Sequence, residues 1–344
     1  MASPPLSYNI PDTLDQWPWG RRMNPHYNAV KPVALEWVNG FGAIDPRIVE
    51  AAECCLLASL AYPDLTKDQL NFISEYLNTT IVLDYLELTT TEEVISHWKE
   101  LVMDAFKNPE TPRPGDEHIL AEMHRQFWLR GLETIPFFSG TKERFIQAYE
   151  RYMRGTIKQA SRKSGLKGET LYVNVEDFLK DRSESAGMQP AWVCMEFGLE
   201  LPQQAVQHPT VIKLVSLANQ MIVFDNDLYS YDKEQAEGDY HNTIAVALQT
   251  SSLDLHGVVD WIADERKKLA TEFLAILNSG LPSFGEPVDS QLAVYVDRIG
   301  NWVRANECWS FESRRYFGSK GREIQEHRTV VLTQKDGYLL TSRL

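Results

Sequence analysis

Apolar residues in this chain recur at three- and four-residue spacing along residues 48–62, 69–88, 91–106, 117–132, 142–160, 210–231, 257–277 and 291–316. That spacing paints one stripe on an α-helix and nothing coherent on a strand. Helix breakers fall between the periodic runs: Pro63, the stretch around Pro109, Gly140, a KSGLKGET segment and a GLPSFGEP segment. Strand candidates are few and short. The best, residues 170–175, is expected to give way to a helix at Asn174. Many helices of about 15–25 residues with short joints predict an all-α, single-domain bundle whose long helices surround a common interior. No internal repeat, low-complexity segment or long linker divides the chain. Residues 1–24, rich in Pro and Trp, read as an N-terminal strap on a bundle of residues 25–318. Residues 319–344 read as a flexible C-terminal tail or lid.

Composition narrows the function. The 344 residues are 43% hydrophobic, enough for a large core, and the formal net charge is −14. Such a surface repels nucleic acid and anionic lipid at long range, so a general nucleic-acid binder is excluded. A small anionic substrate remains compatible if metal ions or a local basic cluster offset the field. Cys54, Cys55, Cys194 and Cys308 have neither disulfide-framework nor zinc-site spacing and read as buried small hydrophobes. The N-terminal segment lacks a basic start and an apolar run. No stretch reaches the roughly 18 apolar residues of a membrane span, so the expected location is cytoplasmic, without a stable membrane anchor.

The most informative segment is VFDNDLYSYDKEQ. Asn226, Ser230 and Glu234 stand at i, i+4 and i+8. At about 100° per residue they drift only about 80° around the helix axis, so all three point to one side. An amide oxygen, a hydroxyl and a carboxylate form a hard-oxygen set suited to Mg²⁺, which keeps waters and is completed by substrate phosphates. The apolar run VIKLVSLANQMIVF before them implies a buried helix, where converging polar groups need partners. Taken alone, the pattern would equally suit the solvated end of a long helix. A second oxygen-rich spot is Asp84 with Glu87, at i and i+3 after another apolar run; taken alone it would be an ordinary surface pair. Arg182, Lys233, Arg315 and Tyr316 supply basic and phenolic donors that together could bind a polyanion, Arg in bidentate fashion and Lys as a point charge.

The combination resembles class I terpene synthases, most closely the fungal sesquiterpene synthase type. The run Asn226 to Glu234 matches that family's NDxxSxxxE metal motif at every fixed position. Arg182 lies 44 residues before Asn226, where the family carries a diphosphate-sensing arginine. Arg315-Tyr316 fits the family's Arg-Tyr pair near the end of the last helix, with Trp309 preceding it. Lys233 occupies the basic position before the motif's glutamate. The N-terminal WPWGRRMNPHY and LLASLAYP segments extend the resemblance over residues 15–320. One departure stands out. The family's first metal motif is DDxxD or DExxD, and here it reads Asp84-Tyr85-Leu86-Glu87-Leu88, with only the first aspartate kept and an acid at Glu87 instead of the last position.

The resemblance implies an α-bundle around a central apolar pocket that ionises a linear prenyl diphosphate, farnesyl before geranyl. It implies Mg²⁺, three ions with Mn²⁺ able to substitute, held by Asp84 and Glu87 on one wall and Asn226, Ser230 and Glu234 on the other. Arg182, Lys233, Arg315 and Tyr316 would bind diphosphate, and the catalytic set is Asp84, Arg182, Asn226, Ser230, Glu234, Arg315 and Tyr316. Trp309 would face the allylic cation in a dry pocket. Thr80 and Ile81 stand where relatives often carry aromatic residues, and Thr80 could hold a water there, so an acyclic alcohol of the linalool or nerolidol kind is an alternative product. A chain-elongating prenyl diphosphate synthase lacks support, since it needs two aspartate-rich motifs. A catalytically inactive helical protein that binds prenyl diphosphate is the alternative of another class. A homodimer is left open.

Overall fold

The computed structural model describes residues 6–334 except 89, 139 and 164–171. In chain order the elements are β1 (Ser7–Asn9), α1 (Tyr27–Gly40), α2 (Pro46–Ala52), α3 (Cys54–Ala61), α4 (Lys67–Glu87), α5 (Glu92–Lys107), α6 (Ile119–Thr134), α7 (Thr141–Lys163) and α8 (Val175–Ser185). They continue as α9 (Met188–Cys194), α10 (Gln203–Val206), α11 (Pro209–Glu237), α12 (Thr243–Thr250), α13 (Leu255–Asn278), α14 (Val288–Glu312), α15 (Gly321–His327) and β2 (Thr329–Val331). Among the described residues no helix is long and apolar enough to cross a membrane, and all four cysteines are buried free thiols.

Packing closes a ring. α4 packs on α3, α3 on α14, α14 on α11, α11 on α8 and α8 on α7; α5 and α6 complete the circuit back to α4. α4 and α11 are surrounded, so they bury residues on nearly every side rather than on one stripe. Local chemistry sets their limits. Thr66 and Gln69 form a reciprocal capping box at the start of α4. Gly238, at φ 80°, ends α11 in the left-handed conformation that lacks a Cβ penalty. Asn174 caps α8 through the Asp177 N–H, at the point where the sequence places a helix start; residues 170 and 171 of the expected strand lie outside the described residues.

The apolar pattern over 48–62 predicts one helix, and the structure breaks it in two. Glu53 takes a left-handed conformation (φ 46°, ψ 49°) and its carboxylate pairs with Lys31. The break frees two backbone carbonyls. Ala51 O accepts from Arg314 N at 3.1 Å and Ala52 O from the Trp309 indole at 2.7 Å, which ties the end of α14 to α2. The last long helix also ends earlier than its periodicity suggests. Ser313 turns to an extended conformation (ψ 170°), so Arg315 and Tyr316 lie in the turn beyond α14.

The N-terminal residues run across the bundle. Tyr8, Ile10, Leu14, Trp17 and Trp19 are buried. The Trp17 indole donates to Gly300 O at 2.9 Å, and a Cβ at Gly300 would stand 2.2 Å from the Trp19 ring, so this crossing requires glycine. Beneath it, Arg266 Nε lies 3.0–3.1 Å from both oxygens of the buried Asp225, joining α13 to α11. The described part of 319–344 is not loose chain. It forms α15 and β2, and β2 pairs antiparallel with β1 in the register Tyr8 to Val330. Thr333 N donates to Asp232 Oδ1 at 2.6 Å, so this segment is fastened to α11 itself. Residues 335–344 of the expected tail lie outside the described residues.

Candidate active site

The ring encloses a cavity of about 1,070 Å³, counting its open mouth, and this is the size of a small-molecule site. Its inner part is apolar, with Leu57, Leu77, Ile81, Ile222, Trp302 and Trp309 among the lining residues. Its polar groups come from two sides. Asp84 and Glu87 enter from the last turn of α4, Asn226 and Glu234 from α11, Arg182 from α8, and Arg315 and Tyr316 from the turn after α14.

On the α11 side the polar groups form one connected network. Arg182 Nη2 donates to Asn226 Oδ1 at 2.9 Å and to Asp227 Oδ1 at 2.8 Å, and its Nε donates to the same Asp227 oxygen at 3.2 Å. Asn226 Nδ2 donates to Tyr316 Oη at 2.7 Å. Seven of the polar residues singled out from the sequence (Asp84, Glu87, Arg182, Asn226, Glu234, Arg315 and Tyr316) therefore line one cavity, and hydrogen bonds join Arg182, Asn226 and Tyr316 directly. On the α4 side Arg315 Nη2 donates to Asp84 Oδ2 at 2.5 Å, and Gln159 Nε2 donates to Glu87 Oε1 at 2.9 Å. Thr80, Ile81 and Trp309 line the cavity, but the Thr80 hydroxyl donates back to Leu77 O at 2.8 Å. Its proton is committed to its own helix.

Two sequence-selected residues sit differently. Ser230 is fully buried behind the lining, with its Oγ 3.3 Å from Asn242 Nδ2. Lys233 pairs with Glu237 one turn along α11 and does not line the cavity. The residues not anticipated are Asn242 and Thr243, which contact the motif from the start of α12, and Gln159, which holds Glu87. A signal for Asn242 existed, since Asn followed by an apolar run marks a helix start, but that spacing says nothing of what else the amide touches.

Burial pushes the Glu234 carboxyl up to about 7, helped by the nearby Asp239 and Asp227 charges and opposed by Arg182 and the Asn242 hydrogen bond. If Glu234 is a ligand of a divalent ion, the ion needs its carboxylate, so binding there competes with the proton and weakens as pH falls. Between pH 8 and pH 6 the Mg²⁺ concentration for half-maximal activation is expected to rise about tenfold, from the change in ionised fraction around such a group. Titrations of Mg²⁺ at fixed substrate across that range test this, and a flat response would remove Glu234 from the metal's ligands.

The donor chemistry fits Mg²⁺. Asn226, Glu234 and Asp84 offer neutral and anionic oxygens to one cavity, whose lining also includes Asp239 and His241. Among the described residues no three His, Cys, Asp or Glu side chains group as a metal site.

Comparison with known proteins gives the same direction. The sequence model of Terpene synthase family 2, C-terminal metal binding, matches residues 79–272. A Delta(6)-protoilludene synthase of Stereum hirsutum is 37% identical over 329 residues, covering 94% of this chain and 87% of that protein. Sesquiterpene synthase 14 of Postia placenta is 35% identical over 339 residues, covering 97% of this chain and 95% of its own. Among solved structures, a linalool/nerolidol synthase from Streptomyces clavuligerus superposes with a TM-score of 0.73 at 18% identity, covering 86% of this chain and 98% of that one. At that identity the likeness is one of fold.

Proposed function

The chain belongs to the terpene synthase family, and from that premise we propose that it ionises a linear prenyl diphosphate, farnesyl diphosphate foremost, in a Mg²⁺-dependent reaction that releases diphosphate and yields a sesquiterpene or a sesquiterpene alcohol. It is thus a carbon–oxygen lyase. The observation that carries the reading is the division of one cavity into an oxygen- and guanidinium-rich mouth and an apolar interior lined by Trp302 and Trp309. An allylic C–O bond breaks when the departing diphosphate is stabilised and the cation left behind is kept from water.

Bound Mg²⁺ supplies the positive charge that offsets the departing diphosphate, and Asp84, Asn226, Ser230 and Glu234 are the residues to hold it. The remaining work belongs to the chain. Arg182 and Arg315 present guanidinium donors, and Tyr316 a phenol, to the leaving group. Trp309 is fixed by its bond to Ala52 O, which holds its ring in the lining where the face of an aromatic can stabilise a cation. Lys233 joins the diphosphate only by leaving Glu237.

The test is incubation with geranyl, farnesyl and geranylgeranyl diphosphates, with and without Mg²⁺, following diphosphate release and identifying products by gas chromatography–mass spectrometry. Release with farnesyl diphosphate and Mg²⁺, and none with chelator, is the expected result. Binding without turnover would replace the reading with that of an inactive binding protein.

Glu87 admits its own test. Its Oε1 is held by Gln159 while the residue still lines the cavity, which suits a weak or indirect part in holding the ion. Glu87→Gln is expected to raise the Mg²⁺ requirement several-fold, and Asp84→Asn to do so by more. Equal Mg²⁺ dependence in Glu87→Gln and the parent would leave Asp84 as the sole acid on that wall.

A further inference from the structure

Three side chains of the motif helix are held by two residues that lie outside the motif. Asn242 is the N-cap of α12: its Oδ1 accepts from Ile244 N at 2.8 Å. That leaves its two amide hydrogens for α11. Nδ2 stands 2.9 Å from Glu234 Oε2, 2.9 Å from the Asp227 carbonyl and 3.3 Å from Ser230 Oγ. The next residue continues the contact. Thr243 donates to Asp227 Oδ2 twice, from its backbone N–H at 2.7 Å and from Oγ1 at 2.6 Å. Asn242, Thr243, Asp227 and Ser230 are all fully buried, so solvent cannot take over any of these bonds.

The division of oxygens is specific. Asn242 takes Oε2 of Glu234 and leaves Oε1 for an ion. Its weaker donation to Ser230 Oγ occupies one lone pair and leaves the other. Thr243 takes Oδ2 of Asp227, which turns Oδ1 toward Arg182, where both Arg182 contacts to this carboxylate are made. We propose, resting on the reading of the site given above, that Asn242 and Thr243 are positioning residues that set the two functions of this wall separately: Asn242 orients the Mg²⁺ ligands Ser230 and Glu234, and Thr243, through Asp227, orients Arg182 for diphosphate. Neither touches substrate. Both act from the first turn of α12, which makes that helix end part of the site rather than a connector.

Partners that orient ligands of this kind typically change metal affinity by about 10–100-fold when removed. Asn242→Ser keeps an oxygen that caps α12 and removes the amide donor, so it separates the cap from the contact. The experiment measures binding of Mg²⁺ in the presence of inorganic diphosphate, by calorimetry on the full chain, together with thermal unfolding without ligand. Asn242→Ser is expected to unfold within a few degrees of the parent yet to need about 10–100-fold more Mg²⁺. Thr243→Val is expected to bind Mg²⁺ with parental dependence at saturating diphosphate but to bind diphosphate several-fold more weakly, and Thr243→Ser, which retains the hydroxyl, to restore it. If Asn242→Ser does not fold, Asn242→Thr gives the same reading, because its hydroxyl also caps a helix and it lacks the amide donor. Parental Mg²⁺ dependence in a folded Asn242 variant overturns the proposal while the site reading stands. Failure of the parent to bind Mg²⁺ with diphosphate overturns both.

Discussion

Alanine at Asn226 or at Glu234 is expected to abolish product formation, a loss of at least about 10³-fold or 4 kcal/mol in transition-state stabilisation, with the fold intact. The magnitude follows from what is removed. On the proposed reading each residue gives an oxygen to the ion, and an ion held by one ligand fewer would sit where the leaving group no longer meets it. The fold survives for local reasons. Without Asn226, Arg182 still has both of its contacts to Asp227, and Tyr316 faces the cavity where water can reach it. Without Glu234, a carboxyl that burial pushes up to about 7 is gone, and with it a charge the site held at a cost. Diphosphate release at saturating Mg²⁺, alongside circular dichroism and thermal unfolding, gives both halves of the result. Near-parental turnover in either folded variant would end the assignment of that residue.

Asn226, Ser230 and Glu234 were legible because a single helix carries all three, and helical spacing is what sequence periodicity reports most directly. The same spacing put Asp84 and Glu87 on one face of α4, whereas Thr80 and Ile81 were singled out only through the family resemblance. Helical spacing failed where direction comes from contacts distant in sequence. Nothing in residues 48–62 marks Glu53 as left-handed, because the apolar pattern runs on through the break; the reason lies in Lys31, Arg314 and Trp309. Ser313 ends α14 in the same silent way, and so puts Arg315 and Tyr316 on a turn. α1 escaped notice with Pro32 inside it, although Val30, Ala34 and Val38 hold the helical spacing and are buried. The pairing of β1 with β2 joins strands of three residues from the two ends of the described chain, too short for any alternation to register. Lys233 matched its motif position but points at Glu237, since a long side chain on a helix takes the nearest acid at i+4 when no anion competes.

Arg315 should separate two effects that usually fall together. Its guanidinium donates to Asp84 Oδ2, while Arg182 occupies Asn226 Oδ1, so each of these cations covers an oxygen that an ion would need. Binding of Mg²⁺ alone must displace a guanidinium with no anion nearby to receive it. When diphosphate is present the same guanidinium has a bidentate partner, and the exchange becomes favourable. Mg²⁺ and diphosphate should therefore bind together far better than either does alone. Arg315→Gln removes the cover from Asp84 and the donor from the leaving group in one step. Turnover is expected to fall by about 10²–10³-fold, roughly 3–4 kcal/mol, as for loss of a charged transition-state donor. Mg²⁺ binding without diphosphate should become tighter than in the parent, because an uncovered carboxylate replaces an ion pair. Arg315→Lys should restore little of the turnover, since an ammonium has no planar fork. Calorimetry with Mg²⁺ alone and with Mg²⁺ plus inorganic diphosphate reads the two effects apart. If Arg315→Gln weakens Mg²⁺ binding in both titrations, Arg315 supports the metal site instead of competing with it, and the exchange of partners is not how the site closes on its substrate.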